Sequence, residues 1–283
     1  MDSPLKIGVH VSISGTIDQA VDRAKGKNCT TFQIFTRNPR GWAYKNLSDT
    51  EVKSFVKKCS FWNYNEVVTH MPYLPNLASP KDEVYLRSVE SLALDLERTG
   101  ALRIPYLVIH LGSHLGSGVE NGVKRIVSAC RTALEKGGND VILLLENTAG
   151  QKNSLGSSFR DLGRIFYQID FPKRIGICFD TCHAFAAGYD LRNSKNVRET
   201  LDELNSEIGL SYLKTVHLND SVGQLGSRLD RHEHIGLGQI GKEGMKAVLQ
   251  HEVIRKIPIV LETPIDETRD DVGNLNEAHQ LGG

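Results

Sequence analysis

The sequence predicts a single (β/α)8 TIM barrel of the α/β class, on the strength of three observations. The chain has 283 residues, a length at which α/β barrels occur as one domain. Short apolar, β-branched runs alternate with longer segments that can place apolar side chains on one helical face. Eight such runs, nearly continuous in apolar character, fit a closed parallel sheet better than an open sheet with edge strands.

The predicted elements follow one another in strict alternation from the amino to the carboxyl terminus. The eight strands are expected at residues 6–11, 31–35, 66–70, 106–110, 141–146, 175–180, 213–217 and 258–262. The helices are expected at residues 16–25, 48–59, 84–99, 119–136, 157–168, 197–208 and 243–251, with a final helix at 271–281. Several helical segments open with a Ser, Thr or Asp that can cap them. No internal repeat or linker divides the chain, so one domain spanning residues 1–283 is expected.

Composition narrows the class of protein. Hydrophobic residues at 40% and charged residues at 24% are typical of a soluble globular protein, and no apolar run is long enough to span a bilayer. The amino terminus lacks the pattern of a secretory signal, and five irregularly spaced cysteines without a CxxC pair indicate reduced thiols, so a cytoplasmic protein is expected. A net charge of +0 argues against a generally basic surface for nucleic acids. Any polyanionic partner must therefore be held by a local patch or by metals.

Titratable residues collect at the carboxyl ends of the predicted strands, and in a parallel barrel these ends converge on the face where active sites lie. Seven of the eight runs end at or beside such a residue: His10, His70, His110, Glu146, Asp180, His217 and Glu262. Carboxylates at this density repel each other unless they are neutralised, and several cations are the simplest neutraliser. A set of nitrogen and oxygen ligands without thiolate suits zinc or manganese better than calcium.

The segment 217–241, HLNDSVGQLGSRLDRHEHIGLGQIG, adds further ligand-type side chains to this face. They are His217, Asp220, Asp230, His232 and His234. Five glycines allow the segment to fold tightly, and long loops in compact domains are usually functional. The alternative is a solvated charge cluster on an ordinary surface loop. Three divalent ions beside four carboxylates would leave the mouth cationic by about two charges, which would attract a phosphate.

Five collinear motifs make the prediction more specific. They are LLLENTAGQ (143–151), CFDTCHAFAAGYD (178–190), VHLNDS (216–221), GSRLDRHEHIGLGQIG (226–241) and VLETP (260–264). Together they resemble the endonuclease IV family of apurinic/apyrimidinic endonucleases, over nearly the whole chain. The resemblance implies a monomeric zinc phosphodiester hydrolase of the deoxyribonuclease IV type, with three zinc ions per chain. It implies cleavage of duplex DNA 5′ to an abasic site, leaving a 3′-hydroxyl, and trimming of 3′ ends.

The resemblance also implies the metal ligands, position by position. Glu146 corresponds to a carboxylate that bridges two of the zinc ions. The three ligand sets are His70 and His110 with Glu146; Asp180, His217 and Glu262 with Glu146; and His183, Asp230 and His232. Glu262 is also a candidate proton acceptor, so Glu146 and Glu262 are the predicted catalytic residues. Glutamine at either position is expected to abolish cleavage and leave the fold intact.

Two early loops resemble the family's DNA-reading elements. TRNPRGW (36–42) places Arg40 and Trp42 after the second strand, and HMPYLPNLASP (70–80) places Tyr73 just beyond His70. In the family such residues enter the DNA helix and hold the sugar out of the stack. An abasic nucleotide costs less to flip than an intact one. Arg231, between two proposed ligands, is a fourth candidate DNA contact, whereas a capped surface turn is the alternative for Arg40 and Trp42.

Several other residues are expected to have structural roles. His10 is expected to hydrogen-bond to a ligand rather than to bind metal. His114, His234, His251 and His279 are expected at the surface or at helix caps. Cys178 and Cys182, which flank Asp180, are expected to be buried thiols.

Two other functions compete with the nuclease. A divalent-metal sugar isomerase or epimerase shares this barrel type, but it needs only about one or two metals and a small closed pocket. A nucleic-acid-binding protein with structural zinc would need closed four-ligand sets, often with thiolate, and the candidate ligands here do not have that character. The metal content separates the two enzymes.

Overall fold

A computed structural model describes residues 4–283, and eight parallel strands form its central sheet. They are β1 (Ile7–Val9), β2 (Gln33–Phe35), β3 (Val68–His70), β4 (Tyr106–His110), β5 (Ile142–Glu146), β6 (Ile175–Asp180), β7 (Leu213–His217) and β10 (Ile259–Leu261). The strands pair in the order β1-β10-β7-β6-β5-β4-β3-β2, and a parallel bridge between His10 and Gln33 joins the two ends. The sheet is therefore closed, and the predicted (β/α)8 barrel is confirmed.

Helices connect the strands and surround the barrel. Within residues 4–283 they are α1 (Gln19–Gly26), α2 (Asp49–Phe61), α3 (Asp82–Ala101), α4 (Val119–Lys136), α5 (Phe159–Ile169), α6 (Thr181–Ala187), α7 (Ser194–Glu207), α8 (Gly241–Gln250) and α9 (Asp271–Gly282). In this part of the chain, no helix combines the length and the apolar character that a bilayer crossing would require.

The alternation of side chains along each strand separates two layers of apolar residues. One set, such as Ile109 and Leu145, points outward and joins the main core beneath the helices. The other set packs inside the barrel and forms a second cluster: Val68, Val108, Leu144, Cys178 and Val260. Two residues beyond each member of this inner cluster, on the same side of the strand, stand His70, His110, Glu146, Asp180 and Glu262. Because side chains alternate with a period of two residues along a strand, these candidate ligands lie on the inner rim of the barrel.

The strand register brings these rim residues level with one another. His110 pairs with Glu146 across β4 and β5, and Asp180 pairs with His217 across β6 and β7. His70 lies beside Phe35 at the end of β2. Because all eight strands are parallel, the rim at their carboxyl ends is a single ring of side chains.

Helix α6, a short two-stranded ribbon and two 3-10 turns (Leu210–Tyr212 and Ile254–Lys256) were not predicted from the sequence. Helix α6 begins directly after Asp180, whose side chain accepts a hydrogen bond from the His183 N–H and caps the helix. All residues 181–186 are buried, so this helix lacks the polar face that an amphipathic pattern would reveal. The segment 217–241 contains a two-stranded antiparallel ribbon, β8 (Asp220–Ser221) with β9 (His232–Glu233), whose strands are too short to leave a periodic signal.

Candidate metal centre

Nine side chains from separate parts of the chain converge at the barrel mouth in three groups. Within each group the possible ligand atoms lie within 4.8 Å of one another. The groups are His70, His110 and Glu146; Glu146, Asp180, His217 and Glu262; and His183, Asp230 and His232. They coincide with the three ligand sets that the family resemblance implies, with Glu146 shared between two of them. Two further groups overlap these and include a buried thiol each: Glu146, Cys178 and His217; and Asp180, Cys182 and His232.

Glu146 lies at the centre of the mouth and is fully buried. Its Oε2 is 3.0 Å from His110 Nε2 and 3.2 Å from His70 Nε2, whereas its Oε1 is 3.1 Å from His217 Nδ1. Burial opposes ionisation of this carboxyl, but the imidazoles of His110 and His217, when they are protonated, outweigh burial and hold its pKa well below the ordinary range. A metal cation bound in their place would favour the ionised carboxylate in the same way. Each oxygen of an ionised carboxylate therefore faces a different group of histidines, an arrangement that suits a bridging ligand.

Backbone carbonyls fix the orientation of three of the histidines. The Nδ1 atoms of His70, His183 and His232 lie 2.6, 3.0 and 3.0 Å from the carbonyl oxygens of Met71, Asn147 and Glu262. Because a carbonyl oxygen only accepts a hydrogen bond, each Nδ1 carries the proton and each Nε2 presents its lone pair to the mouth.

The outward nitrogen of His232 provides a specific test of whether a metal fits. His232 Nε2 is buried and has no hydrogen-bond partner, while carboxylate oxygens of Asp180 and Asp230 lie 3.7 Å from it. A lone pair that faces two carboxylates at this distance is repelled unless a cation lies between them. The atoms present therefore fit a divalent metal, and nitrogen and oxygen donors are the ligands that zinc accepts.

Asp220 has a different position from the one expected for a ligand. Its buried carboxylate accepts hydrogen bonds from the backbone N–H groups of Gly238, Ile240 and Gly241, at distances of 3.0, 2.9 and 3.1 Å. A Cβ atom at Gly238 would lie 2.5 Å from the Asp220 carboxylate, so only glycine permits this approach. Through these hydrogen bonds, Asp220 holds the two ends of segment 220–241 together. This contact positions the ribbon and, with it, Asp230 and His232.

Because of these hydrogen bonds, the Asp220→Ala variant is expected to lose both stability and bound metal. Replacing Asp220 with alanine leaves several buried N–H groups unpaired, which is expected to lower the free energy of unfolding by at least about 2 kcal/mol. Because the ribbon also carries two ligands, the variant is expected to bind about one metal fewer per chain than the wild type. Thermal unfolding and elemental analysis measure the two effects. Asp270→Ala, which removes a comparable bond to the Gly273 N–H at the start of α9, is the matched control and is expected to keep its metal.

Three of the four predicted DNA contacts lie near the rim: Arg40 and Tyr73 each line a hollow there, and Arg231 directly follows the candidate ligand Asp230. Tyr73 is 63% exposed, and its ring centroid lies 6.0 Å from that of His70 and 5.8 Å from that of His110. Arg40 and Arg231 are exposed. Trp42 is half-buried and its ring lies 4.6 Å from the Arg87 guanidinium of α3, so this ring packs against the barrel wall.

Two hollows lie at the rim that carries the candidate ligands. A cleft of about 930 Å³ runs between segments 11–17 and 36–47, and His10, Arg40 and Lys45 line it. A smaller hollow of about 350 Å³ lies between Tyr73 and Asp230 and is lined by His110 and His183. Three of the candidate ligands line the smaller hollow, whereas the larger cleft reaches the rim at His10 and Phe35. The mouth and these two hollows together are called the trough.

Three amides that contact the ligands were missed in the sequence. Asn147 brackets the Asp180 backbone with two hydrogen bonds, and Asn219 donates to Asp180 Oδ2 at 2.7 Å and accepts from the Glu262 N–H. Gln33 contacts Glu262 and His217. For the two asparagines a signal existed, because each stands next to, or two residues from, a proposed ligand. For Gln33 the only signal was a polar residue inside an apolar strand.

The remaining histidines and cysteines have mostly the expected roles. His10 Nδ1 lies 3.0 Å from the Gln33 amide and beside Glu262, and Cys178 and Cys182 are buried. Burial raises the pKa of both thiols to about 12, which favours the neutral form. The surface assignment of His234 is wrong. It is buried between Asp266 and Asn274, which hydrogen-bond to its two ring nitrogens.

A (β/α)8 barrel with clustered histidines and carboxylates at its mouth defines a class of metal-site barrel proteins, and comparison with known proteins agrees. Residues 21–281 match the xylose isomerase-like TIM barrel family. The probable endonuclease 4 of Methanoculleus marisnigri is 54% identical over 278 residues, covering 98% of this chain and 99% of that protein. That of Nitrosopumilus maritimus is 51% identical over 279 residues, covering 98% of this chain and 100% of that protein.

The relatives and a solved structure narrow this class to one family. The crystal structure of endonuclease IV from Thermus thermophilus superposes with a TM-score of 0.88 at 37% identity, over 98% of both chains. The chain belongs to the endonuclease 4 family. The predicted family is therefore confirmed, and the protein is of the nuclease class.

Proposed function

We propose that this protein is a DNA-repair endonuclease that hydrolyses the phosphodiester 5′ to an abasic site in duplex DNA and leaves a 3′-hydroxyl. The observation that carries the proposal is the convergence of nine nitrogen- and oxygen-bearing side chains in three groups around Glu146. We further propose that the chain acts as one domain and as a monomer in the cytoplasm, and that it also trims 3′ ends.

We assign three zinc ions to the three groups of ligands. The unpartnered Nε2 of His232 and the two-sided contacts of Glu146 support this assignment. When bound, the ions would activate water as the nucleophile and neutralise the negative charge that develops on the phosphate. His70, His110 and Glu146 would hold one ion; Asp180, His217, Glu262 and Glu146 a second; and His183, Asp230 and His232 the third.

The protein's own side chains would accept the proton and bind the DNA. Glu262 reaches the mouth from the end of β10 with its side chain 14% exposed, which is a suitable place for a carboxylate that accepts a proton while it binds a metal. Arg40, Trp42, Tyr73 and Arg231 would contact DNA around the trough. The abasic nucleotide, lacking a base to stack or pair, would turn into the trough at lower cost than an intact one.

Neither competing function uses all of these features. A sugar isomerase of the same barrel type needs a small closed pocket, whereas here three candidate ligands line a hollow of about 350 Å³ and a separate cleft of about 930 Å³ begins beside His10 at the same rim. A structural zinc site would be closed by four ligands, but the group at His183 has three, and Asp230 among them is 37% exposed. Both features favour an open catalytic site for a large substrate.

The test is an incision assay on a duplex oligonucleotide that carries one tetrahydrofuran abasic analogue and a 5′ label. Cleavage is expected immediately 5′ to the analogue, with a 3′-hydroxyl that a polymerase can extend. The undamaged duplex of the same sequence is the control and should remain intact. An uncut analogue strand, or equal cutting of both duplexes, would rule out the proposed activity.

Tyr73 predicts a specific effect on substrate binding. Stacking of an aromatic ring on a base contributes about 1–3 kcal/mol, so Tyr73→Ala is expected to weaken binding of the abasic duplex by about ten- to a hundredfold. Tyr73→Phe, which keeps the ring, is expected to bind within about threefold of the wild type. Fluorescence anisotropy with the analogue duplex measures both, with each variant made in the catalytically inactive Glu146→Gln background so that the duplex stays uncut. Tyr167→Ala on α5, with a similarly exposed ring (59%), is the control and should not change the affinity.

A further inference from the structure

Gln33 ties three strands together directly behind the metal ligands. This side chain is fully buried in β2, on the inner side of the barrel. Its Oε1 lies 2.8 Å from His217 Nε2, and its Nε2 lies 2.7 Å from Glu262 Oε1 and 3.0 Å from His10 Nδ1. The three partners come from the ends of β7, β10 and β1, at the seam where the bridge between His10 and Gln33 closes the barrel.

The orientation of the Gln33 amide follows from its partners. An ionised carboxylate only accepts hydrogen bonds, so the atom 2.7 Å from Glu262 Oε1 is the amide nitrogen. The amide oxygen must then accept from His217 Nε2, which places the proton of this imidazole on Nε2. The second N–H of the amide points at His10 Nδ1, so every donor and acceptor of the group is used.

This arrangement determines which atoms of two ligands face the metals. With its proton on Nε2, His217 presents the lone pair of Nδ1, which lies 3.1 Å from Glu146 Oε1 and 3.3 Å from Glu262 Oε2. Glu262 is held through Oε1, which leaves Oε2 on the side of the cluster. His217 therefore uses a different nitrogen from His70, His183 and His232, whose Nε2 atoms face the mouth.

We propose that Gln33 is a positioning residue of the metal centre. It keeps the proton of His217 on Nε2, so that Nδ1 is the nitrogen that binds metal, and it turns Glu262 Oε2 toward the metal that the two residues share. Its action is indirect, since it reaches the metals only through these two ligands. The proposal rests on the assignment of metals to the mouth in the proposed function. Outer partners of metal ligands commonly change metal affinity or activity by about ten- to a hundredfold when they are removed.

The experiment compares zinc affinity and incision kinetics in two variants of the full-length protein. Gln33→Met keeps the approximate size and removes all three hydrogen bonds, whereas Gln33→Glu keeps an acceptor for His217 and sets a second carboxylate against Glu262. Zinc affinity is measured by competition with a chromophoric chelator, without DNA. Thr31 lies two residues before Gln33, and its hydroxyl donates a hydrogen bond to the Glu66 carbonyl. Thr31→Val is therefore the matched control for the loss of a side-chain hydrogen bond next to β2.

We expect Gln33→Met to release its weakest-held zinc at a chelator concentration at least tenfold lower than the wild type requires. Its kcat should fall by at least tenfold while KM stays within threefold, because the DNA-contacting residues are untouched. Gln33→Glu should lose more affinity than Gln33→Met, since two carboxylates then face each other. Thr31→Val should match the wild type in zinc affinity and in kcat.

Two results would overturn the role of Gln33. One is zinc affinity within twofold of the wild type in both folded variants, as judged by circular dichroism. The other is an equal loss of affinity in Thr31→Val, which would reveal a general effect of weakening β2. Failure of the proposed function is a distinct result, because it would appear in the wild type as absence of bound zinc or of incision.

Discussion

Glu146→Gln is expected to abolish incision of the abasic duplex, with a fall in kcat of more than about a thousandfold. Loss of a single hydrogen-bond donor to a developing charge costs about a hundred- to a thousandfold, and this substitution weakens two ligand groups at once. Both oxygens of Glu146 face histidines, and the neutral amide can offer only one oxygen to two metals. Single-turnover incision with excess enzyme measures the chemical step directly.

The fold is expected to survive this substitution, since glutamine has nearly the size of glutamate and the surrounding apolar layer is untouched. Glu66→Gln is the matched control, because Glu66 precedes β3 at the opposite end of the barrel and pairs with Lys6. It should retain full activity. If Glu146→Gln cleaved at the wild-type rate, Glu146 could not be the shared ligand of two metals.

Removing the metals is expected to eliminate activity and to destabilise the protein together. A ligand present at a thousand times its Kd adds about 4 kcal/mol to the stability of the folded state, and for a domain of this size each kcal/mol corresponds to roughly 2–4 °C in Tm. Stripping with a chelator should therefore lower Tm by about 10 °C or more. The Tm is expected to fall because the carboxylates of Glu146, Asp180 and Glu262 would repel one another at the mouth without a cation between them.

Readdition of zinc is the control for this prediction, and it should restore both Tm and incision. Magnesium at the same concentration should restore neither, because imidazole nitrogens are poor ligands for it. Unchanged Tm and full activity after complete stripping would show that the nine residues do not form a metal centre.

The strands could be predicted because seven of the eight combine an apolar run with a titratable residue at or beside the carboxyl end. Most helices could be predicted because their apolar residues fall on one face. The order Val68-Thr-His70 and the order Leu144-Leu-Glu146 each place an apolar residue and a candidate ligand on the same inner side. Helix α6 could not be predicted in this way, because burial on every side removes the amphipathic pattern.

The candidate ligands could be predicted from motifs, whereas the groups that hold them in place could not. Asp220 has the chemistry of a ligand, and only the folded ribbon reveals that backbone N–H groups saturate its carboxylate. His234 looked like a surface residue because it lies in a polar segment, yet Asn274 from α9 covers it. Gln33 is separated from Glu262 by 229 residues, so no local pattern connects them.

The metal content of the purified protein tests the central claim most directly. Elemental analysis by mass spectrometry, on protein purified without chelators and quantified by amino-acid analysis, is expected to give three zinc ions per chain. One or two ions would favour the sugar isomerase instead, and protein that is folded yet carries no metal would contradict a catalytic cluster at the barrel mouth.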